Sequence, residues 1–206
     1  MPRRLIMLVL LVAPLAVSQT ATYQEPYRPQ FHFSPARNWT NDPNGLVYFD
    51  GEYHLFFQFN PFGDRWGHMS WGHAVSRDLV HWSELAVAIP EENGIMIFTG
   101  STVVDRHNTS GFCIGGRPCL VAMYTGHTPE TRSSPARQTQ NLAFSNDRGR
   151  TWTKYARNPI LDLHMSEFRD PKVLWFERDH RWVMAVSFKV GHGTSASKAL
   201  SLYLET

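Results

Sequence analysis

Two aspartates in this sequence occur in the same local context and could form a catalytic pair. Asp42 lies in Asp-Pro-Asn-Gly and Asp170 in Arg-Asp-Pro-Lys, and an aromatic-rich segment follows each. Asp-Pro is an ordinary turn dipeptide, so a single occurrence would indicate only a turn. Two occurrences at equivalent positions of a repeat would bring two carboxylates together, which is the arrangement used to hydrolyse a glycosidic bond. The spacing alone assigns no role to either aspartate.

The segments that must position these aspartates are predicted to be strands joined by hairpins. GLVYFDGEYHLFFQF contains two apolar runs around Asp50-Gly51, a dipeptide typical of a tight hairpin turn. KVLWFERDHRWVMAVSF has the same design with its turn at residues 178–180, and a third strand pair is predicted to start near Gly100. No stretch shows a sustained helical period, so we expect little helix.

A second repeat indicates how the hairpins combine. SRDLVHW and SNDRGRTW are both Ser-x-Asp turns that lead to a tryptophan, and an apolar strand precedes each. The repeating unit is therefore four strands, which is typical of a β-propeller blade. Because blades begin next to the propeller axis, Asp42 and Asp170 are predicted to converge at one end of it. A β-sandwich with similar turns is the alternative fold.

The N-terminus and the overall charge favour a secreted protein without a nucleic-acid partner. Residues 1–18 combine Arg3 and Arg4 with an apolar run interrupted by Pro14, which predicts a signal peptide and not a membrane span. Residues 19–30 are polar and predicted to be a leader. Removal of residues 1–18 takes away two of the 20 basic residues and leaves 18 basic and 18 acidic residues. We therefore predict an extracellular protein with no nucleic-acid partner and, after signal removal, no membrane association.

The two cysteines and one glycosylation motif agree with secretion. Cys113 and Cys119 flank a glycine- and proline-containing stretch in GFCIGGRPCL, a spacing that suits a small disulfide loop in an oxidising compartment. Two unrelated thiols are the alternative. Asn108 begins the motif Asn-Thr-Ser and is a predicted glycosylation site.

Five ordered blocks of this sequence resemble glycoside hydrolase family 32, the family of invertases, inulinases, levanases and related fructosyltransferases. The blocks are WTNDPNG (39–45), FQFNP (57–61), WGHMSWGHAVSRDLVHW (66–82), FTGS (98–101) and EFRDPKV (167–173). The resemblance covers residues 31–206. It implies an all-β, five-bladed propeller followed by a β-sandwich, here truncated to about the first three blades without the sandwich. It also implies action on β-fructosides with retention of configuration.

The resemblance assigns roles to residues at matching positions. Asp42 would be the nucleophile, and Asp170 would stabilise the transition state through its charge and hydrogen bonds. The positions that match the family's substrate contacts are Asn41, Gln58, Trp66, Phe98, Thr99 and Arg169. A structural ion pair is the alternative role for Arg169. The resemblance implies no metal and no cofactor, and the substrate would be a fructan or sucrose.

One departure from the family pattern concerns the general acid. The family has a glutamate in a Glu-Cys motif downstream of Arg-Asp-Pro, and neither Glu177 nor Glu205 stands next to a cysteine. We therefore predict that residues 31–206 are an incomplete catalytic domain of a secreted β-fructofuranosidase of the inulinase or levanase kind. A non-catalytic carbohydrate-binding or degenerate product is the alternative, and a fructosyltransferase is the alternative within the same enzyme class.

Overall fold

The computed structural model describes residues 23–30 and 32–190, together with the backbone of residues 194–201. Its regular structure is antiparallel β-sheet, and the one helix among these residues is a single 3₁₀ turn at Glu177–Asp179. The prediction of an all-β fold with little helix is confirmed. The predicted signal peptide, residues 1–18, lies outside the described residues. None of the described helical segments is long and apolar enough to cross a membrane.

Sheet I is a four-stranded antiparallel meander. Asp50 and Gly51 form the turn between its first two strands, at the place predicted from the sequence. Its central strands are almost completely buried on both faces, so apolar and aromatic residues do not alternate with exposed polar ones, and the polar residues they contain, such as His54 and Gln58, are buried too. In chain order the strands are β1 (Thr40–Phe49), β2 (Glu52–Phe59), β3 (Ser70–Ser76) and β4 (Trp82–Glu84).

Sheets II and III are also antiparallel and differ from sheet I in their number of described strands, five in sheet II and three in sheet III. In sheet II the main path runs in chain order, and the fourth and fifth strands both pair with the third. Its strands are β5 (Met96–Asp105), β6 (Cys119–Thr128), β7 (Arg137–Ser145), β8 (Thr153–Lys154) and β9 (Leu161–Met165). Sheet III comprises β10 (Phe168–Phe176), β11 (Arg181–Val190) and β12 (Thr194–Ser201).

Two apolar clusters hold the three sheets together in chain order. Phe56 and Trp71 of sheet I are buried with Ile97 of sheet II, and Phe168 of sheet III is buried in a second cluster with residues of sheet II. Alternate residues of a strand face opposite ways, so each sheet contributes a different set of side chains to each neighbour. The first strands of the three sheets lie side by side, with β5 between β1 and β10.

The connection between β5 and β6 is closed by a disulfide bond between Cys113 and Cys119, whose Cα atoms are 5.2 Å apart. Both sulfurs lie in the cluster between sheets II and III. The exposed Asn108 precedes this loop, and its side-chain Oδ1 accepts a 2.9 Å hydrogen bond from the backbone N–H of Cys113. The loop is thus tied to the core at both ends.

The leader residues 23–30 contain no strand or helix. Arg28 pairs with Glu25 and also donates to the backbone carbonyl oxygens of Pro35 and Ala36, at 2.8 Å and 3.0 Å. The leader is therefore fastened to the segment that precedes β1.

Candidate active site

The first strand of each sheet carries a β-bulge at the place where a predicted site residue lies. The register shifts fall at residues 41–42 of β1, residue 99 of β5 and residues 170–171 of β10. A bulge inserts one extra residue into a strand, which bends the strand and redirects a side chain. Because β5 lies between β1 and β10, the three bulges bring Asp42, Thr99 and Asp170 to the same end of neighbouring strands.

Asp42 is exposed, and its two carboxylate oxygens are oriented by different neighbours. Oδ1 accepts a 3.2 Å hydrogen bond from Nδ2 of Asn41, and Oδ2 accepts a 3.0 Å hydrogen bond from the hydroxyl of Thr99. Asn41 is itself held by Trp39, whose indole N–H donates to its Oδ1 at 2.9 Å. The carboxylate is therefore accessible to a ligand while its orientation is restricted from both sheets I and II.

Asp170 lies in an unusual backbone conformation. Its φ is +62°, in the left-handed region that non-glycine residues seldom adopt, and its N–H donates a 3.1 Å hydrogen bond to the hydroxyl of Thr125. The pKa of Asp170 is raised above its ordinary value, chiefly because the carboxyl group is partly buried; the neighbouring Arg169 opposes the rise, and the charge of Asp42 adds to it. The two aspartates are thus close enough to interact electrostatically, as the matched repeat positions predict.

Arg169 forms an ion-pair network beside Asp170. Its guanidinium group pairs with the carboxylate of Glu167, and its Nε lies 3.8 Å from Oδ2 of Asp170. A cavity of about 200 Å³ opens here, lined by Glu167, Arg169, Asp170, Ser187, Phe188 and Lys189. Arg169 therefore lines a cavity at the site and also takes part in ion pairs, so both roles considered for it are compatible with the structure.

An aromatic wall stands near the Thr99 bulge. The indole of Trp66 is 53% exposed and lies almost perpendicular to Phe98, with 6.2 Å between the ring centroids. The ring of His127 stacks on that of Phe98, with 4.4 Å between the ring centroids and an interplanar angle of 11°. An exposed indole of this kind offers an apolar face to the C–H surface of a sugar.

Gln58, a predicted substrate contact, is buried in this structure, with 3% of its surface exposed. Its Nε2 donates a 2.9 Å hydrogen bond to the carbonyl oxygen of Ile97, so the side chain joins β2 to β5. One of its donors is therefore used to hold sheets I and II in register. Its contact with substrate stays a prediction.

Residues 32–203 match the model of the Glycosyl hydrolases family 32 N-terminal domain. The chain belongs to glycosyl hydrolase family 32. It is 50% identical over 196 residues to a levanase of Bacillus subtilis (strain 168), an alignment that covers 91% of this chain and 28% of the levanase.

Solved structures of family 32 members have the same fold. The crystal structure of exo-inulinase from Aspergillus awamori superimposes with a TM-score of 0.73 at 40% identity, over 88% of this chain and 41% of that enzyme. A β-fructofuranosidase from Schwanniomyces occidentalis, complexed with fructosyl-erythritol, gives a TM-score of 0.71 at 47% identity, over 78% and 31% of the two chains. The chain spans between about a quarter and two-fifths of the length of these family 32 relatives.

The structure adds supporting residues that the sequence patterns did not single out. Gln138 and Gln140 are buried, and their side chains bond to both backbone groups of Phe168. Nε2 of Gln140 donates to the carbonyl oxygen of Phe168, and the N–H of Phe168 donates to Oε1 of Gln138, each at 2.8 Å. These amides fix the start of β10 next to Asp170. The available signal was two glutamines at positions i and i+2 of a strand, which places both on one face.

Proposed function

We propose that this chain forms part of a secreted β-fructosidase that hydrolyses fructans or sucrose by double displacement. The observation that carries the proposal is the Asp42 carboxylate, exposed at a bulge and oriented by Asn41 and Thr99. The similar proteins are named levanase, from sequence, and exo-inulinase and β-fructofuranosidase, from solved structures. Family membership and this geometry together support a glycosidase nucleophile at Asp42.

In the proposed mechanism, an oxygen of Asp42 attacks the anomeric carbon of fructose. The bond from that carbon to the leaving oxygen breaks, and its electron pair departs with the oxygen, which must receive a proton. Water then attacks the fructosyl-Asp42 ester and loses a proton, releasing fructose with retention of configuration. Two hydrogen bonds to the carboxylate reduce the freedom of Asp42 before attack, which lowers the entropic cost of reaching the reactive geometry.

Asp170 is proposed to act without forming a bond to the sugar. As an acceptor it would bind fructose hydroxyls, and as an anion it would favour the positive charge that develops at the anomeric carbon. Burial raises the pKa of Asp170 above its ordinary value, and the neighbouring Arg169 guanidinium opposes this rise and so helps to retain the charged form that this role needs. The aromatic wall of Trp66 and Phe98 is proposed to contact the apolar face of the ring.

The proposed mechanism also needs a general acid that gives a proton to the leaving oxygen. This chain contains no Glu-Cys pair, so no residue of it matches the family's general acid. Loss of a positioned general acid typically costs on the order of 10²- to 10⁴-fold in rate. We therefore expect negligible fructose release from the 206-residue polypeptide, and activity only where the remaining blades are present.

Secretion belongs to the same proposal. The predicted signal peptide supports it, and one group of relatives is named extracellular exo-inulinase. N-terminal sequencing of the protein recovered from culture medium should give a first residue after position 18.

The test is a hybrid in which this chain replaces the matching segment of the Bacillus subtilis levanase. Release of fructose from levan and sucrose should be measurable in the hybrid. Asp42→Ala should lower kcat by at least about a thousandfold, because the covalent intermediate can no longer form. Glu130→Ala, which removes an exposed carboxylate from the β6–β7 turn, is the matched control and should leave turnover unchanged.

Three results would each decide against part of the proposal. Near-normal turnover in the Asp42→Ala hybrid would remove Asp42 from the nucleophile role. A folded hybrid that binds fructose-containing sugars but releases no fructose would favour the non-catalytic binding protein. Transfer of fructose to sucrose in place of water would instead identify a fructosyltransferase.

A further inference from the structure

The two faces of sheet II have different surroundings. On β6 and β7, Thr125 and Gln140 face sheet III, where they hold Asp170 and Phe168. Tyr124 and Asn141 are the next pair in the register, so they face the other way. On this second face sheet II borders a cleft of about 390 Å³ that none of the proposed catalytic residues lines.

The cleft lies between sheet II and the segment that joins sheet I to sheet II. The far wall is formed by Glu92, Asn93 and Ile95, and the lower rim by residues of β8 and of the segment leading into β9. Its volume is within the range of about 300–1,000 Å³ that is typical of small-molecule sites. The floor continues into Ile97, which is adjacent in sequence to Phe98 of the aromatic wall.

Two buried polar side chains that line the cleft have unused hydrogen-bonding capacity. The hydroxyl of Tyr124, a residue 3% exposed, makes no hydrogen bond within the described residues. Asn141 is 7% exposed; its Nδ2 donates to the carbonyl oxygen and hydroxyl of Thr139, each at 3.0 Å, while its Oδ1 has no donor among the described residues. Because both residues line the cleft, the Tyr124 hydroxyl and the Asn141 amide oxygen are available to bond to a molecule that displaces water from it.

The absence of a side chain at Gly126 helps to keep this wall open. A Cβ atom there would lie 2.7 Å from Nδ2 of Asn141 and 3.2 Å from the side chain of Ile95. Any larger residue would therefore displace Asn141 or narrow the cleft. Tyr124 and Asn141 thus remain in place behind an unobstructed opening.

Charged pairs surround the opening. Lys154 bonds to Glu92 at 2.9 Å, and Arg137 pairs with Asp162 on the opposite side. Burial, and to a lesser degree the charge of Glu92, raise the pKa of the Tyr124 hydroxyl, which is therefore a neutral donor and acceptor. Neutral hydroxyl and amide groups inside a rim of compensated charges suit a neutral ligand with many hydroxyl groups, rather than an ion.

We propose that this cleft is a second saccharide-binding site, which holds one sugar unit of a fructose-containing oligosaccharide through Tyr124 and Asn141. The choice of a fructose-containing ligand rests on the proposed function. The site is distinct from the Asp42 site, because none of the residues that line the cleft belongs to the set proposed to bind or cleave substrate there. A polymeric substrate could thereby be retained near the enzyme between successive cleavages.

The test is an NMR titration of the 206-residue chain with the trisaccharide 1-kestose. The methyl groups of Ile95, assigned with Ile95→Val, report on the cleft, and the indole N–H of Trp66 reports on the Asp42 site. We expect both signals to shift. Tyr124→Phe, which removes only the hydroxyl, should weaken the binding seen at Ile95 by about tenfold and leave the binding seen at Trp66 unchanged.

The controls separate this proposal from the proposed function. Tyr48→Phe removes an exposed hydroxyl and should alter neither signal. Asp42→Ala/Asp170→Ala should weaken the response of Trp66 and preserve that of Ile95. A response of Ile95 with a silent Trp66 would support the cleft and count against the Asp42 site. An Ile95 signal that does not shift, or that loses its response in the double variant, would overturn the second site.

Discussion

The hydroxyl of Thr99 donates a 3.0 Å hydrogen bond to Oδ2 of Asp42, across the boundary between sheets I and II. Each residue sits in the β-bulge of the first strand of its sheet. The orientation of the proposed nucleophile therefore depends on how two separate sheets pack, and not only on the turn in which Asp42 lies. This contact leads to the first prediction.

Thr99→Val should slow catalysis in the levanase hybrid by about 10- to 100-fold in kcat, with a small change in KM. The substitution preserves the branched shape and removes the donor, and a hydrogen bond to a charged group contributes about 1.5–3 kcal/mol. Steady-state kinetics on sucrose measures both constants. Thr99→Ser retains the hydroxyl and should keep kcat within about threefold of the parent. Equal kcat values for the valine and serine variants would show that the contact does not orient the nucleophile.

Gly100→Ala should destabilise the fold by about 3 kcal/mol or more. A Cβ at this position would lie 2.0 Å from the carbonyl oxygen of Met123 and 2.8 Å from Cα of Tyr124, and both contacts are with the backbone of the paired strand. Overpacking of this kind forces backbone shifts. Urea denaturation followed by tryptophan fluorescence gives the free energy of unfolding.

Gly63→Ala is the matched control for Gly100→Ala. The nearest atom to a Cβ at residue 63 is 4.0 Å away, so the change in the free energy of unfolding should stay within about 0.5 kcal/mol. A Gly100→Ala protein as stable as the Gly63→Ala protein would mean that β5 and β6 are not paired this closely.

The third prediction concerns a buried histidine pair between sheets I and II. Nδ1 of His54 lies 3.0 Å from Nε2 of His73, and each residue is 1% exposed. Burial lowers the pKa of His54 to about 4 and that of His73 to about 3. Three charged groups face the pair. Glu52 of sheet I raises both pKa values, and Arg150 of sheet II lowers both. Arg148 of sheet II, which pairs with Glu52 as Arg150 does, lowers that of His54.

Stability should therefore fall as the pH drops below about 6.5. The unfolded chain takes up protons near the ordinary histidine pKa of 6.5, whereas the folded pair stays neutral until about pH 4. The stabilising contribution is complete above pH 6.5 and is lost towards pH 4 and 3, by up to roughly 1.4 kcal/mol per pH unit for each histidine. Urea denaturation at pH 7.5, 6 and 5 measures the slope.

Variants can assign this slope to the pair. His54→Gln/His73→Gln removes both titrating groups, so its free energy of unfolding should depend less on pH between 6.5 and 5 than that of the parent. His107→Gln replaces an exposed histidine and should keep the parental slope. If the double variant also kept that slope, other groups would be responsible for the acid sensitivity.

Much of the fold could be predicted from local sequence. The Asp50-Gly51 turn, the apolar runs of β2 and β6 and the recurrence of Ser-x-Asp turns indicate antiparallel four-stranded units, since each depends on neighbouring residues only. The family blocks predict Asp42 and Asp170 as the acidic residues of the site, and their roles stay a prediction. The spacing of Cys113 and Cys119 likewise suits the disulfide that the structure contains.

The side chains that support the site could not be predicted in this way. Thr99 meets Asp42 from 57 residues away, and Thr125 holds Asp170 from a distance of 45 residues. The buried His54–His73 pair gave no local signal, because burial depends on the sheet that covers it. The cleft at Tyr124 and Asn141 was also not apparent from the sequence.

The sequence by itself therefore determined the strands, their turns and the family, and it singled out two candidate acidic residues, because these depend on periodicity and short motifs. Only the tertiary structure decided which partners orient Asp42 and Asp170 and which face of sheet II borders a second cleft. The physical reason is that the side-chain period of a strand is two residues. One bulge or one shift in register sends a residue to the opposite face, and local composition does not record that choice.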